Sequence, residues 1–310
     1  MNSYVLSDLD FYDVSKYHFV DKSFICRDRW QFRYNHISHL VGSQIIVHGG
    51  LDEENKILNH CFIMNLNPFK LVYCSVDINH QPPYLHGHCG AMAIPSDTLN
   101  NQRMTVYKMP EMPFGKSVNL KLKEKGWYIF GGRTNKNKLS NDLYLATIGQ
   151  KPIKFMLKET NGKKPSPRYD ATLNFYEKGN HLILFGGRND AISDLYALND
   201  LYILDLFSFD WIQVRLYNTD PRMKVVKRCG HCSILYDDKL FVFGGMNSGS
   251  FVGSALFVVD LDFDYDPNEE KKKGVVIDKD APNYKANFAL RNRLALDFDE
   301  RQLRLPVITE

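Results

Sequence analysis

Two short stretches hold the residue types that metal chemistry uses. Cys229 and Cys232 stand three apart in Arg-Cys-Gly-His-Cys, residues 228–232, and His-Gly-His-Cys spans 86–89 with His80 close by. A structural zinc site needs a second Cys-x-x-Cys or a His pair at matching spacing, and neither follows residue 232. On a strand, residues three apart point to opposite faces, so Cys229 and Cys232 are expected as small buried side chains. His88 sits where a loop can turn inward and is retained as a candidate binding residue. Asp-Leu-Asp-Phe-Asp-Tyr-Asp at 260–266 alternates acids as calcium loops do, but lacks the glycine at loop position six and the glutamate at position twelve, so it reads as a solvated connector. No glycine-rich phosphate loop, nucleophile elbow or paired catalytic carboxylate is evident, so no catalytic residue and no cofactor or metal is assigned.

Composition narrows the partner class. The 310 residues carry a formal net charge of +3, too small to make nucleic acid the main partner. Lys271, Lys272 and Lys273 follow Glu269 and Glu270 and read as a solvated loop. The opening Met-Asn-Ser-Tyr-Val has no basic leader, and no apolar run approaches bilayer length, so neither a signal peptide nor membrane insertion is expected. Six cysteines scattered over this length are expected to be reduced in a cytoplasmic compartment.

The elements that would position any site come from a repeat. Apolar runs end in a double glycine four times, at Gly49-Gly50, Gly131-Gly132, Gly186-Gly187 and Gly244-Gly245. Downstream lie Asn-His-Cys-Phe-Ile-Met-Asn at 59–65, Asn-Asp-Leu-Tyr-Leu-Ala-Thr at 141–147, Asn-Asp-Leu-Tyr-Ile-Leu-Asp at 199–205 and Gly-Ser-Ala-Leu-Phe-Val-Val-Asp at 253–260. Upstream, a third phrase reads Arg-Tyr-Asn-His at 33–36, His-Cys-Gly-Ala at 88–91, Arg-Tyr-Asp-Ala at 168–171 and Arg-Cys-Gly-His at 228–231. Three phrases in fixed order at a period near 50 residues indicate repeated units of one supersecondary structure. The continuous apolar runs suit short strands buried on both faces, and the glycines a sharp turn where backbones crowd. Trp211 is expected to bury its ring between sheets with its indole N–H on a polar partner. Four short strands per unit, packed radially, make a propeller blade.

These phrases resemble the kelch repeat, marked by Gly-Gly, a following Tyr and a Trp some six residues further on. The resemblance covers residues 2 to about 262, with Tyr144 and Tyr202 at the Tyr position, Phe62 and Phe257 replacing it elsewhere, and Trp211 at the Trp position. It implies an all-β propeller of about five visible blades of four antiparallel strands, one domain over 1–310. Gly90 precedes Gly131 by 41 residues whereas Gly230 precedes Gly244 by 14, which places an insertion of about 27 residues over 97–123, between the first and second strands of its blade at the lower face. Residues 2–9 align on 199–206, so the chain starts half a blade in; either upstream sequence supplied the missing strands, or the tail 293–308, which carries a hairpin pattern, closes the ring with 5–9. Segment 263–310 is the least regular part.

The resemblance also implies that the loops after the double glycines line an upper mouth, which brings Arg133 and Arg188 to it. Arg33, Arg168 and Arg228 open first strands near the same rim and are expected either to be tied within their own blades or to face a partner. A ring of guanidinium groups would suit an acidic or phosphorylated protein segment. Some related propellers carry a copper radical site, which needs a clustered Tyr, His and crosslinked Cys not assignable here. The expected role is a non-enzymatic protein–protein interaction scaffold in a cytoplasmic assembly, cytoskeletal or ciliary. The alternatives are a substrate receptor of a ubiquitin ligase, whose usual BTB or F-box adaptor is not encoded in these residues, and a propeller enzyme.

Overall fold

The computed structural model describes residues 11–13, 18–20, 32–66, 69–94, 122, 124–190, 197–214, 225–236, 238–247, 249–252, 256–262 and 289–294. All regular elements among them are strands. Strands β1 (Phe11–Asp13) and β2 (His18–Val20) form a separate hairpin. Strands β3 (Ile37–Val41), β4 (Gln44–His48), β5 (Cys61–Leu66) and β6 (Phe69–Tyr73) form the first four-stranded antiparallel blade.

After β7 (Leu85–His86), strands β8 (Cys89–Ala93), β9 (Gly126–Phe130), β11 (Leu143–Ala146) and β12 (Phe155–Lys158) make the second. Here β10 (Arg133–Thr134) pairs with β7 at the rim. The third blade runs β14 (Thr172–Tyr176), β15 (His181–Phe185), β16 (Leu201–Asp205), β17 (Asp210–Val214), with β13 (Asn161–Gly162) added parallel to β17. The fourth runs β18 (Cys232–Tyr236), β19 (Lys239–Phe243), β22 (Leu256–Asp262), β23 (Ala289–Leu294), with a small rim ribbon of β20 (Met246–Asn247) and β21 (Ser250–Phe251). The first strands of successive blades lie side by side, which arranges the four described sheets radially as blades of a propeller.

Runs such as Gly126–Phe130 and His181–Phe185 are buried at every residue because each sheet is covered on both faces. The core is therefore a set of layers between blades. Trp127, Ile129 and Phe155 pack against Ile46 between the first and second blades. Phe130, Leu145, Leu184 and Trp211 fill the layer between the second and third. Ile183, Phe185, Val242 and Phe257 fill the next. Trp211 is fully buried against Phe130, but its indole N–H has no partner among the described residues, contrary to the expectation of a polar contact.

The double glycine is where blades meet. Gly49, Gly131 and Gly186 have φ of 69°, 71° and 62°. A Cβ on Gly49 would lie 2.5 Å from the Leu85 carbonyl oxygen, on Gly131 2.7 Å from that of Arg168, and on Gly186 2.8 Å from that of Arg228. The second glycine then donates its N–H to the same carbonyl, Gly50 to Leu85 at 2.9 Å, Gly132 to Arg168 at 2.8 Å and Gly187 to Arg228 at 2.9 Å. A side chain at the first position would force the next blade away from that bond.

The structure corrects the register of the second blade. Its leading phrase is Leu85-His86-Gly87-His88, three residues earlier than the sequence comparison places it. Gly87 stands where Asn35, Asp170 and Gly230 stand in the other blades, and all four are left-handed, with φ of 60°, 52°, 55° and 61°. Asn, Asp and Gly are the types that tolerate this region.

Four blades of four strands are described rather than about five. The expected partners of the split blade, 5–9 and 295–308, lie outside the described residues. Arg293 and Leu294 pair with Val258 and Phe257, as the end of the fourth blade's outer strand. Most of the insertion 97–123 is also outside them, but Leu122 is 5% exposed in the core beside Tyr128, so the insertion's end belongs to the packing.

A Gly186→Val change should lower stability by roughly 3 kcal/mol or more, since it combines positive-φ strain with a backbone collision. Gly244 has the same backbone (φ 68°) and, among the described residues, nothing within 4 Å of its added Cβ. Gly244→Val should therefore cost only the strain, about 1–3 kcal/mol. Urea melts of both variants separate collision from strain, and equal losses would contradict the role assigned to the interblade approach.

Candidate functional site

The arginine that opens a first strand serves its own blade. Arg168 is 1% exposed and donates to both carboxylate oxygens of Asp200 at 2.6 and 2.9 Å and to the Gly186 carbonyl at 3.0 Å. Its guanidinium lies 5.4 Å from the Tyr202 ring centre. Arg33 repeats the pattern with the Gly49 carbonyl at 2.8 Å and Phe62 at 4.3 Å, and Arg228 with the Gly244 carbonyl at 3.2 Å and Phe257 at 5.9 Å. The double glycine, the third-strand aromatic and the leading arginine thus form one latch in each of the first, third and fourth blades. Burial lowers the pKa of Arg33 to about 10 and also lowers that of Arg228. These guanidinium groups are spent inside the protein. Arg168 and Arg228 therefore do not present themselves at the mouth.

The second blade has Leu85 at the arginine position, and its Tyr144, half-buried toward the first blade, meets no such guanidinium among the described residues. The same interface carries histidines instead, and seven of the ten in the chain lie between residues 36 and 88. His48 replaces the phenylalanine that precedes the double glycine in the other three blades, and is fully buried. Its Nε2 lies 3.1 Å from the Pro83 carbonyl, which can only accept, so Nε2 carries the proton and Nδ1 is an acceptor. His88 Nε2, 3.1 Å from that Nδ1, must then be the donor. Both rings are neutral. Burial pushes His48 down to about 3 and His88 well below the usual imidazole range. His88, a candidate on sequence grounds, is an interior packing residue at 4% exposure. His231 holds its place in the fourth blade, 2.9 Å from the Thr172 hydroxyl and edge-on to Phe185.

Arg133 and Arg188, the residues after their double glycines, do reach the upper rim and converge on Tyr169. Arg188 lies 4.3 Å and Arg133 5.0 Å from the Tyr169 ring centre. Arg133 is ion-paired with Asp190, Arg188 with Asp170 at 3.3 Å, and the Tyr169 hydroxyl donates to Asp190 at 3.0 Å. Burial raises the pKa of Asp170 and Tyr169, opposed in both by the arginines. Tyr169, Asp170 and Asp190 were not singled out in the sequence. Tyr169 stands in the leading phrase, but nothing local marks Asp190.

Beside this cluster a cleft of about 630 Å3 opens between the rim loops of the first and second blades. Lys56, Tyr84, His86 and Arg133 line it with Asn55, Asn135 and Asn137. No carboxylate is among the lining residues. The cleft offers cations, amide donors and an aromatic face, a set suited to an anionic or polar extended segment. Among the described residues, no three His, Cys, Asp or Glu side chains converge as metal ligands. Cys229 is buried near the Met246 carbonyl and Cys232 is exposed.

A family model described as the KLHDC2/KLHL20/DRC7 Kelch-repeats domain matches residues 117–289. The chain is 25% identical over 230 residues to Tip elongation aberrant protein 1 of Schizosaccharomyces pombe, covering 71% of this chain and 16% of that protein. It is 35% identical over 94 residues to Dynein regulatory complex subunit 7 of Chlamydomonas reinhardtii, covering 30% of this chain and 8% of that one. The chain thus spans a small part of these relatives' length. Among solved structures, a chain in a cryo-EM structure of RAG with one melted and one unmelted RSS aligns with a TM-score of 0.52 at 18% identity, over 75% of this chain and 65% of that chain, a likeness of fold.

The buried neutral histidines make stability pH-dependent. His36 and His39 are lowered to about 4, and His48 and His231 to about 3, all by burial first. The unfolded chain takes up protons below its ordinary imidazole pKa while the folded chain does not, so stability is full above pH 6.5 and falls as pH drops toward 4. Each histidine contributes about 1 kcal/mol per pH unit in that window. Replacing His48 by Phe and His88 by Ala, the residues that hold these places in the third blade, should flatten the slope between pH 6 and 4. Equal slopes in denaturation series would contradict the assignment.

Proposed function

Because the chain belongs to the Kelch-repeat family, we propose that it is a protein-interaction scaffold whose upper mouth takes an acidic or phosphorylated segment of a partner protein. The cleft beside Arg133 carries this reading: Lys56, His86 and Arg133 line it with three asparagines and no carboxylate. Asp190 and Asp170 already neutralise part of Arg133 and Arg188 and fix their direction. An incoming carboxylate or phosphate would meet Lys56, Arg133 and the amide donors rather than two free arginines. Tyr84, 43% exposed at the rim, supplies an aromatic face for a side chain of the same segment.

The assembly we infer is cytoskeletal or ciliary. Support comes from the relatives named for tip elongation and for the dynein regulatory complex. A scaffold role accords with a rim built of loop residues on a rigid set of blades.

The test uses fluorescent peptides of one backbone sequence in acidic, phosphorylated and neutral forms. The acidic and phosphorylated forms should bind, and Lys56→Glu should weaken them about tenfold, as expected for one charge-assisted contact turned repulsive. Arg188→Ala, a rim change outside the cleft, should weaken them less. Equal binding of the neutral peptide, or no effect of Lys56→Glu, would overturn the reading.

A further inference from the structure

The geometry points to Cys61 and Cys74 as a redox-responsive thiol pair that a hydroperoxide converts to a disulfide within the first blade. Cys61 begins β5 and Cys74 follows β6, so the register that sets Phe62 opposite Tyr73 sets the two cysteines opposite each other. The Cys74 N–H donates to the Cys61 carbonyl at 3.0 Å, and the two Sγ atoms are 3.4 Å apart. Directly opposed residues on antiparallel strands have Cα atoms within the span a disulfide requires. Closing the bond therefore needs side-chain motion and no change of register.

The two thiols differ in access. Cys74 is part-exposed while Cys61 is buried, which gives each a step. The Cys74 thiolate attacks one oxygen of hydrogen peroxide: an S–O bond forms, the O–O bond breaks and hydroxide leaves, taking up the proton the thiol had released to become water, so the sulfur is oxidised to the sulfenic acid and the peroxide is reduced. Cys61 sulfur then attacks the Cys74 sulfur; the S–S bond forms, the S–O bond breaks, and the departing hydroxide takes the Cys61 proton as a second water. Two thiols and one hydrogen peroxide thus give one disulfide and two waters. The hydrogen bond to the Cys74 sulfur, and then burial, hold the Cys61 proton on, which keeps this sulfur from reacting first, while the Arg33 guanidinium favours its thiolate once the proton can leave.

The pair also lies where oxidation reaches an interface. Cys61 and Cys74 pack toward the second blade with Ile153 and Phe155, and Val76 bridges to Ile153. The remaining described cysteines provide the comparison, since Cys232 is exposed but has no thiol partner, and Cys89 and Cys229 are buried.

The full chain is treated with graded hydrogen peroxide at neutral pH, blocked with N-ethylmaleimide, digested and read by mass spectrometry. The linked 61–74 peptide should appear at a dose about tenfold below that which modifies Cys232, because a resolving thiol in contact removes the sulfenic acid as it forms. In Cys61→Ser, dimedone should label Cys74, whereas the parent chain should show little label. Cys232 reacting first, or dimedone-labelled Cys74 persisting in the parent without a disulfide, would overturn the proposal.

Discussion

The close approach of one blade's double glycine to the next blade's leading carbonyl sets the geometry of the whole array. At Gly49, Gly131 and Gly186 the oxygen of the following blade sits within 2.8 Å of where a Cβ would be. No larger residue permits that distance, and the second glycine's N–H depends on it for its partner. A further series of backbone bonds runs beside it: Gly87 donates to Asn35, Asp170 to Gly87 and Gly230 to Asp170, at 2.9, 2.6 and 2.9 Å. The donors and the first acceptor are the left-handed residues of the leading phrases. Their backbone conformation aims an N–H at the blade before and a carbonyl at the blade after, which links four separate sheets around the axis.

The same constraint decides how charge is used. A buried arginine is tolerable only when its five donors find acceptors, and the double-glycine carbonyls, left over by the sharp turn, provide one in each case. Arg168 has the fullest set because Asp200 stands at the start of the third strand. Arg33 and Arg228 rely on carbonyls and aromatic faces. The basic residues at the rim are a different population. Arg133 and Arg188 lie beyond the turn, where paired acids orient them on Tyr169, and the described residues lining the cleft beside Arg133 include Lys56 and no carboxylate.

Where the repeat departs from itself, compensation is visible. Leu85 removes a cation from the second blade, and its carbonyl still accepts from Gly50. His48 replaces a phenylalanine and must satisfy two ring nitrogens without water, which Pro83 and His88 do. The result is a buried interface that carries a proton-dependent weakness that Phe130 and Phe185 do not.

The fourfold Gly-Gly, the buried apolar runs and the third-strand aromatics were enough to establish repeated four-stranded sheets, because each phrase has a local cause in chain reversal or two-sided burial. The resemblance those phrases carry implied a mouth lined by the loops after the double glycines, where Arg133 and Arg188 stand. Sequence alone misaligned the second blade: Gly90 was matched to Gly230, and only the left-handed backbone at Gly87 shows the true equivalence. Asp200 stands in a phrase read only as part of the repeat, whereas the fold brings its carboxylate 32 residues back to Arg168. Asp190, His48 with His88, and Cys61 with Cys74 acquire their roles from partners across strands or blades, at separations no local pattern encodes. Periodicity specifies which residues form a blade. Which side chains meet is decided by strand register and by how one blade seats against the next.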